Sequence, residues 1–443
     1  MVSASNFISE DKKTLTSSVN AFLPKVAFIP VEEDDSGPLE ILVTEGDRVK
    51  EGDVIARQKG LFIHSSVPGI VQKISQKQYS NGKQGLCAQI ALNGEFSYLG
   101  KKAERQDWQS LDNSALQDSL KESGVVNTFA KEIPLYAQIQ KLKASASRSV
   151  VVRLFDSDPS LVTDSFVARK HLPEIIEGGV ILARAFDAGT LLFAYSSSEK
   201  NGIKEELEGL LEEKKTSLFP SDLEVLAVGM DTRKYPAGTM HDIVVAVKKS
   251  CKEAGGAKIG RKDLFVDSVT ALASYNAIVL KKPVVSTFVH VTGECLNAAA
   301  LFNVRVGTPL RDIVEQCGGL KRRLSKIVIN GIISGTAVSS LDIPVNRSVK
   351  SIEFIPMGKI KVPETEHCIR CGNCRKICPV HLWPGNLYRL ARLDNKKHYS
   401  ESDAQARESV LLCTECGLCN AVCTARLPLS QTISILKDSY NEK

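Results

Sequence analysis

CIRCGNCRKICP, residues 368–379, and CTECGLCNAVCT, residues 413–424, share one spacing, C-x2-C-x2-C-x3-C. Cysteines at i, i+3 and i+6 wrap a short loop around three corners of a cubane, and the fourth closes a cluster across the pair. The spacing predicts two [4Fe–4S] clusters. One is held by Cys368, Cys371, Cys374 and Cys423, the other by Cys413, Cys416, Cys419 and Cys378. Iron in such clusters takes soft, anionic sulfur, so thiolates suit all eight positions. A structural zinc site uses two C-x2-C pairs around one tetrahedral ion and leaves no role for the third regularly spaced cysteine, which occurs here in both motifs.

Working outward, Pro379 follows the first motif as a ferredoxin pattern expects, whereas Thr424 takes that place in the second and Pro428 arrives later. Thirty-four residues separate Cys378 from Cys413, room for two helices over residues 387–393 and 404–412. This favours a helical ferredoxin-like module over a compact β-hairpin one. His367 abuts Cys368, but the thiolate set is complete without an imidazole. Cys87, Cys251, Cys295 and Cys317 are scattered and read as structural. The first loop carries Arg370 and is followed by Arg375 and Lys376, while the second carries Glu415 and no basic residue before Arg426. Reduction adds negative charge, so local charge predicts the higher potential for the first cluster.

The 443-residue chain is too long for one ordinary core and calls for two to four domains. Its 43% hydrophobic and 24% charged residues belong to a globular protein, and its longest apolar runs, such as residues 180–183 and 191–195, fall far short of the ~18 residues of a spanning helix. The start, MVSASNFISEDKK, lacks the apolar core of a secretory signal, so a cytoplasmic location is expected. Twelve cysteines in such a chain favour metal ligation over disulfides. A net charge of +6 with dispersed Lys and Arg gives no support to nucleic-acid binding.

Residues 27–99 read as all-β, with short apolar runs punctuated by Gly46-Asp47, Gly52-Asp53 and Pro68-Gly69. GDRVKEGDVIA followed by HSSVPGIV resembles the barrel-sandwich fold of biotinyl and lipoyl domains. The stretch between Ile55 and Gly69 is too short for their cofactor hairpin, however, and Lys59 reads as a solvated turn lysine. From 105 to 282, buried strands at 149–154, 190–195, 223–228 and 264–266 alternate with helices such as 205–215, the pattern of α/β layers around a largely parallel sheet. Residues 283–345 return to short strands with a helix at 310–315. GGAKIGRK, residues 255–262, lacks the Gly-Lys-Ser/Thr ending of a phosphate-binding loop and reads as a connecting turn. No Ser/His/Asp or paired-carboxylate constellation marks a catalytic site.

Four stretches together carry a family resemblance: VTGECLNAAALFNVRVGTPLRDIV (291–314), KYPAGTMHDIV (234–244), SLDIPV (340–345) and the double cysteine motif. Over nearly all of residues 27–437 the chain resembles RnfC, the peripheral subunit of the Rnf membrane electron-transport complex, and its relatives PduS and PrdC. The resemblance implies a multidomain α/β and β architecture. It has a flexible N-terminus (1–20), a barrel-sandwich hybrid domain (21–104) and a degenerate α/β domain like the complex I flavoprotein (105–282). An SLBB β-grasp domain (283–350) and a helical two-cluster ferredoxin domain (360–437) follow.

The departure from the family lies in the flavin and nucleotide part. Where the family carries GLGGAGFPT, whose bare backbone approaches a phosphate, this chain has NTFAKEIPL (127–135), with Lys131 and Glu132 among the added side chains. The NGAECEPY pattern is matched by RLFDSDPS (153–160), which keeps Asp156 and Asp158, and an acidic EDN segment by YSSSEKN (195–201). FMN and NADH binding are therefore expected to be lost. The resemblance implies an electron conduit on the cytoplasmic face of the cell membrane, partnered by integral-membrane and iron–sulfur subunits of an Rnf-type complex. A soluble one-electron carrier, ferredoxin or flavodoxin, would exchange electrons with it. The alternative is a soluble PduS- or PrdC-like protein serving a cytoplasmic reductase, and a third class is an adaptor whose clusters only staple the fold.

Overall fold

The computed structural model describes residues 2–3, 15, 17–32, 37–58, 60–142, 148–198, 202–250, 259–358, 365–392 and 400–441. Lys59, Cys251, residues 199–201 and residues 255–258 lie outside them.

The barrel sandwich is made from two antiparallel sheets. One orders its strands Val26–Pro30, Gln84–Leu92, Gly69–Gln78, Arg48–Val49, and the other Glu40–Ile41, Val54–Gln58, Leu61–His64. Asp47 and Asp53 close equivalent turns, each carboxylate accepting the N–H three residues earlier at 2.7 Å, a local bond that Asp offers in place of strand pairing. Ile29, Ile55, Leu61, Ile63 and Ile90 fill the space between the sheets.

The α/β domain follows from strands that are apolar without alternation, the pattern of a sheet covered on both faces. Its four parallel strands lie in the order Glu224–Met230, Thr190–Ser196, Ser149–Arg153, Leu264–Asp267. Chain order reverses between the last two, and the crevice beyond their carboxyl ends is where open α/β sheets take ligands. Helix Leu172–Phe186 packs on helix Ser268–Val279 so closely that a Cβ on Gly178 would stand 2.2 Å from the Ala271 carbonyl oxygen.

The β-grasp sheet has six strands, ordered Val19–Asn20, Ala300–Arg305, Ser286–Thr292, Ser351–Pro356, Leu324–Ile329, Thr336–Val338. Helix Leu310–Gln316 covers one face. Two features differ from the sequence expectation. Val19–Asn20 is an edge strand and Val2–Ser3 pairs with Lys234–Tyr235, so these parts of residues 1–20 have fixed partners. Ser351–Pro356, past the expected boundary at 350, is a central strand, parallel to Ser286–Thr292. Both are pairings across long separations, which composition does not signal. The C-terminal unit is helical as anticipated, with Pro384–Ala391, Glu401–Glu408 and Leu429–Asn441 around Leu387, Val410 and Ile433.

Candidate iron–sulfur site

The two cysteine loops are conformational copies. Arg370 and Glu415, each between the first two cysteines of its motif, both have φ of 56°. Gly372 and Gly417 follow at 78° and 73°, and His381 and Arg426, three residues beyond the fourth cysteines, at 58° and 54°. The left-handed region costs a residue with a side chain about 1–2 kcal/mol, so its recurrence at matching places marks a backbone shaped for a purpose. That purpose is visible at the sulfurs: Leu382 N–H points at Cys378 Sγ (3.3 Å), Leu427 N–H at Cys423 Sγ (3.4 Å) and Glu415 N–H at Cys413 Sγ (3.4 Å).

The thiols sort into groups that cross the two motifs. Burial raises Cys416, with Cys378 adding to it, and burial together with Cys416, Cys413 and Cys378 pushes Cys419 up to about 12. Burial raises Cys374, with Cys371 and Cys368 adding. Cys374, Cys419 and Cys423 all pack against the same patch of Ala425, Leu427 and Leu429, which brings sulfurs of both motifs together. Thiols that oppose one another's ionisation suit cationic iron, which deprotonates a coordinating thiol outright. Among the described residues no three Cys, His, Asp or Glu side chains gather closely enough to enclose a single ion, whereas the ligands of a cubane stand at separate corners. The N–H groups aimed at the sulfurs of Cys378, Cys413 and Cys423 suit anionic thiolate ligands.

The surroundings of the loops differ. Cys368 and Cys371 are exposed, and Ile369 is 69% exposed. Nothing lies within 4 Å of a Cβ placed on Gly372, while one on Gly417 would meet the Ile333 carbonyl oxygen at 2.2 Å. Tyr235 donates its hydroxyl to the Cys416 carbonyl (2.7 Å). Glu415 has company that the sequence around it does not announce: Lys437 Nζ lies at 2.8 Å and Lys131 Nζ at 3.3 Å, and Lys131 also holds Asp438 at 2.6 Å. Burial raises the Glu415 carboxyl, but Lys437 and Lys131 outweigh it and hold the group below the usual carboxylate range. The charge contrast read from the two loops alone is therefore corrected. The acidic loop carries two lysines, one from helix Leu429–Asn441 and one from the NTFAKEIPL segment.

That segment forms a hairpin, Val126–Asn127 pairing with Ile133–Pro134, over the switch-point crevice. The crevice is filled by the chain itself. Arg153, 2% exposed at the end of its strand, lies over the Phe129 ring (4.2 Å) and donates to the carbonyls of Phe155, Gly238 and Phe129. Lys350, brought by the β-grasp domain, contacts Asp164 (2.8 Å) and Asp267 (2.6 Å), and Thr128 donates to Asp267 at 2.8 Å. Burial pushes Asp164 up to about 7 against the pull of Lys350, whereas Lys350 and Arg153 overcome burial at Asp267 and hold it at about 2. Asp156 and Asp158 serve the local backbone: Asp156 accepts from Asp164 N–H and Ser165 N–H, and Asp158 from the serines at 160 and 334. Ser196, Ser197 and Ser198 of the YSSSEKN segment tie to Thr232, Met230 and Asp231. Cys87, Cys295 and Cys317 are buried, the last two in the core of the β-grasp domain.

A barrel sandwich, a flavoprotein-like α/β domain, a β-grasp domain and a two-loop cysteine module define a class, the iron–sulfur subunits of modular redox complexes. Family models match in the same order: RnfC barrel sandwich hybrid domain over residues 8–95, Nuo51 FMN-binding domain over 120–275, SLBB domain over 288–331 and 4Fe-4S dicluster domain over 364–427. Over most of its length the chain is similar to members of the RnfC family. It is 25% identical over 377 residues to a subunit of the proton-translocating ferredoxin:NAD(+) oxidoreductase complex of Clostridium ljungdahlii, covering 84% of this chain and 80% of that one. It is 21% identical over 375 residues to the corresponding subunit of the Na(+)-translocating ferredoxin:NAD(+) oxidoreductase complex of Acetobacterium woodii, covering 82% and 81%. Against the corresponding subunit of the ion-translocating oxidoreductase complex of Edwardsiella ictaluri it is 25% identical and spans 46% of that protein's length. Among the described residues no helix is long and apolar enough to cross a membrane.

Proposed function

We propose that this chain is an electron conduit, an RnfC-like subunit of an ion-translocating complex that relays electrons through two [4Fe–4S] clusters and has no working FMN or NADH site. Cys368, Cys371, Cys374 and Cys423 hold one cluster, and Cys413, Cys416, Cys419 and Cys378 the other. Each cluster, once assembled, takes up and gives back one electron at a time. The chain's own residues supply the thiolates, the N–H groups aimed at them and the packing that keeps the second loop from water. Its partners in this reading are membrane-bound and iron–sulfur subunits on the cytoplasmic face and a soluble one-electron carrier, ferredoxin or flavodoxin; the names of its relatives, subunits of ion-translocating ferredoxin:NAD(+) oxidoreductase complexes, support the complex and ferredoxin.

The observation that carries the loss of the flavin site is the filled crevice. The fold of an FMN-binding domain is kept, but two cations and two carboxyl groups, Arg153, Lys350, Asp164 and Asp267, close a buried lattice there. A phosphate would have to displace Phe129 and part of that lattice, exposing buried charge that is costly to leave unpaired. The test is acid extraction and fluorescence of FMN from anaerobically purified protein, with NADH titration of the same sample. Flavin far below one per chain and no NADH-dependent bleaching are expected. Near-stoichiometric FMN would overturn the reading.

A further inference from the structure

The exposed face of the first cysteine loop is basic and partly apolar. From His367 to Arg392 there is no Asp or Glu, while Arg370, Arg375, Lys376, Arg389 and Arg392 are all exposed. Arg370, Arg375 and Lys376 have no carboxylate partner among the described residues, in contrast to Arg389, which pairs with Asp403. Apolar groups are set among these cations: Ile369 is 69% exposed and Trp383 54% exposed, with the Arg375 guanidinium 5.3 Å from the Trp383 ring centroid. Two cysteines of the same loop, Cys368 and Cys371, lie open to solvent between them. Exposed aromatic and aliphatic side chains interspersed with cations that have no carboxylate partner among the described residues make a docking patch, in which the apolar groups give contact and the charge gives steering.

Resting on the conduit reading above, we propose that this face is where a soluble, acidic one-electron carrier protein docks, with the cluster of Cys368, Cys371, Cys374 and Cys423 as its exchange partner. The charge selects a negative surface. The open cysteines select a redox protein over an inert one, because they bring a cluster ligand to the contact itself. The second loop, packed against residue 333 and Tyr235, offers no such approach. The step is a single electron transfer: the reduced carrier is oxidised by one electron, the cluster is reduced by one, and no bond or proton changes hands.

The test is stopped-flow reduction of the full-length, cluster-loaded protein by a reduced, acidic plant-type [2Fe–2S] ferredoxin. Wild type is compared with the Arg375→Glu/Lys376→Glu variant and the milder Arg375→Gln/Lys376→Gln variant, each checked for unchanged iron content. The second-order rate for wild type should fall steeply with ionic strength. At low salt charge reversal should cost about tenfold or more, with neutralisation falling between. If iron-replete variants keep the wild-type rate and salt dependence, the docking face is wrong while the conduit stands. If ferredoxin fails to reduce even wild type although dithionite does, carrier exchange fails as well. Vesicles containing phosphatidylglycerol are the third arm: binding that the variants lose, with the ferredoxin rate unchanged, would assign the face to a lipid surface and overturn the proposal.

Discussion

The two cysteine loops have the same spacing and the same backbone, down to the paired left-handed residues at 370 and 415. They differ in nearly everything that touches them. The first loop is open and basic, its cations without a carboxylate partner among the described residues, and the second is enclosed, with its carboxylate neutralised by lysines from two other segments. Ligand geometry is therefore local and repeatable, whereas the electrostatic setting of each cluster is tertiary.

The largest effects should come from the ligands. Replacing Cys371 or Cys416 with Ser is expected to lower iron from about eight to about four per chain, measured after anaerobic purification. Cys416→Ser should also loosen the contact with Tyr235, so its thermal midpoint falls further. Equal midpoints in the two variants would break the contrast between an open and a docked loop.

The glycines test that contrast without touching sulfur. Gly372→Ala meets open space and should cost only the left-handed backbone penalty, about 1–2 kcal/mol. Gly417→Ala adds a clash with the backbone of residue 333, roughly 1–3 kcal/mol more. Unfolding followed by far-ultraviolet circular dichroism should separate them, and similar losses would mean that the second loop is not held against the β-grasp domain.

Smaller still are the potentials, read by EPR-monitored titration. Removing the charge of Glu415 by Glu415→Gln should raise the second midpoint, and Lys131→Gln should lower it, each by tens of millivolts, on the order of what one partly buried charge contributes. Arg370→Gln should lower the first midpoint by less, since an exposed charge is screened by water and salt. An Arg370 effect larger than the Glu415 effect would reverse the assignment of which loop is shielded.

These cases also mark what the sequence made legible. The spacing of the cysteines announced the cluster loops because their contacts span a few residues, and unbroken apolar runs announced the parallel strands at 149–153, 190–196 and 264–267. The substitution of NTFAKEIPL for a glycine-rich stretch pointed to a changed crevice, but not to what fills it. Lys350 arrives from another domain, and Arg153 carries no local mark of being buried. Lys131 is equally hidden, far along the chain from the Glu415 it meets, while Lys437 reaches Glu415 only through the fold of the last helix, 22 residues on. The strand Ser351–Pro356 was placed outside its sheet because a parallel partner requires a crossover, which turn residues do not announce.

The edge strand Val19–Asn20 has a consequence in time. Asn20 bonds to Asn303 and Gln316, at sequence separations of 283 and 296 residues. At ~5–20 residues per second, a ribosome needs roughly 15–60 s to deliver those partners after the strand emerges. For that interval the barrel-sandwich residues can close on themselves while the segment before them waits unpaired. A nascent chain stalled anywhere before residue 300 would expose that segment to proteases, and the β-grasp sheet is the last thing that protects it.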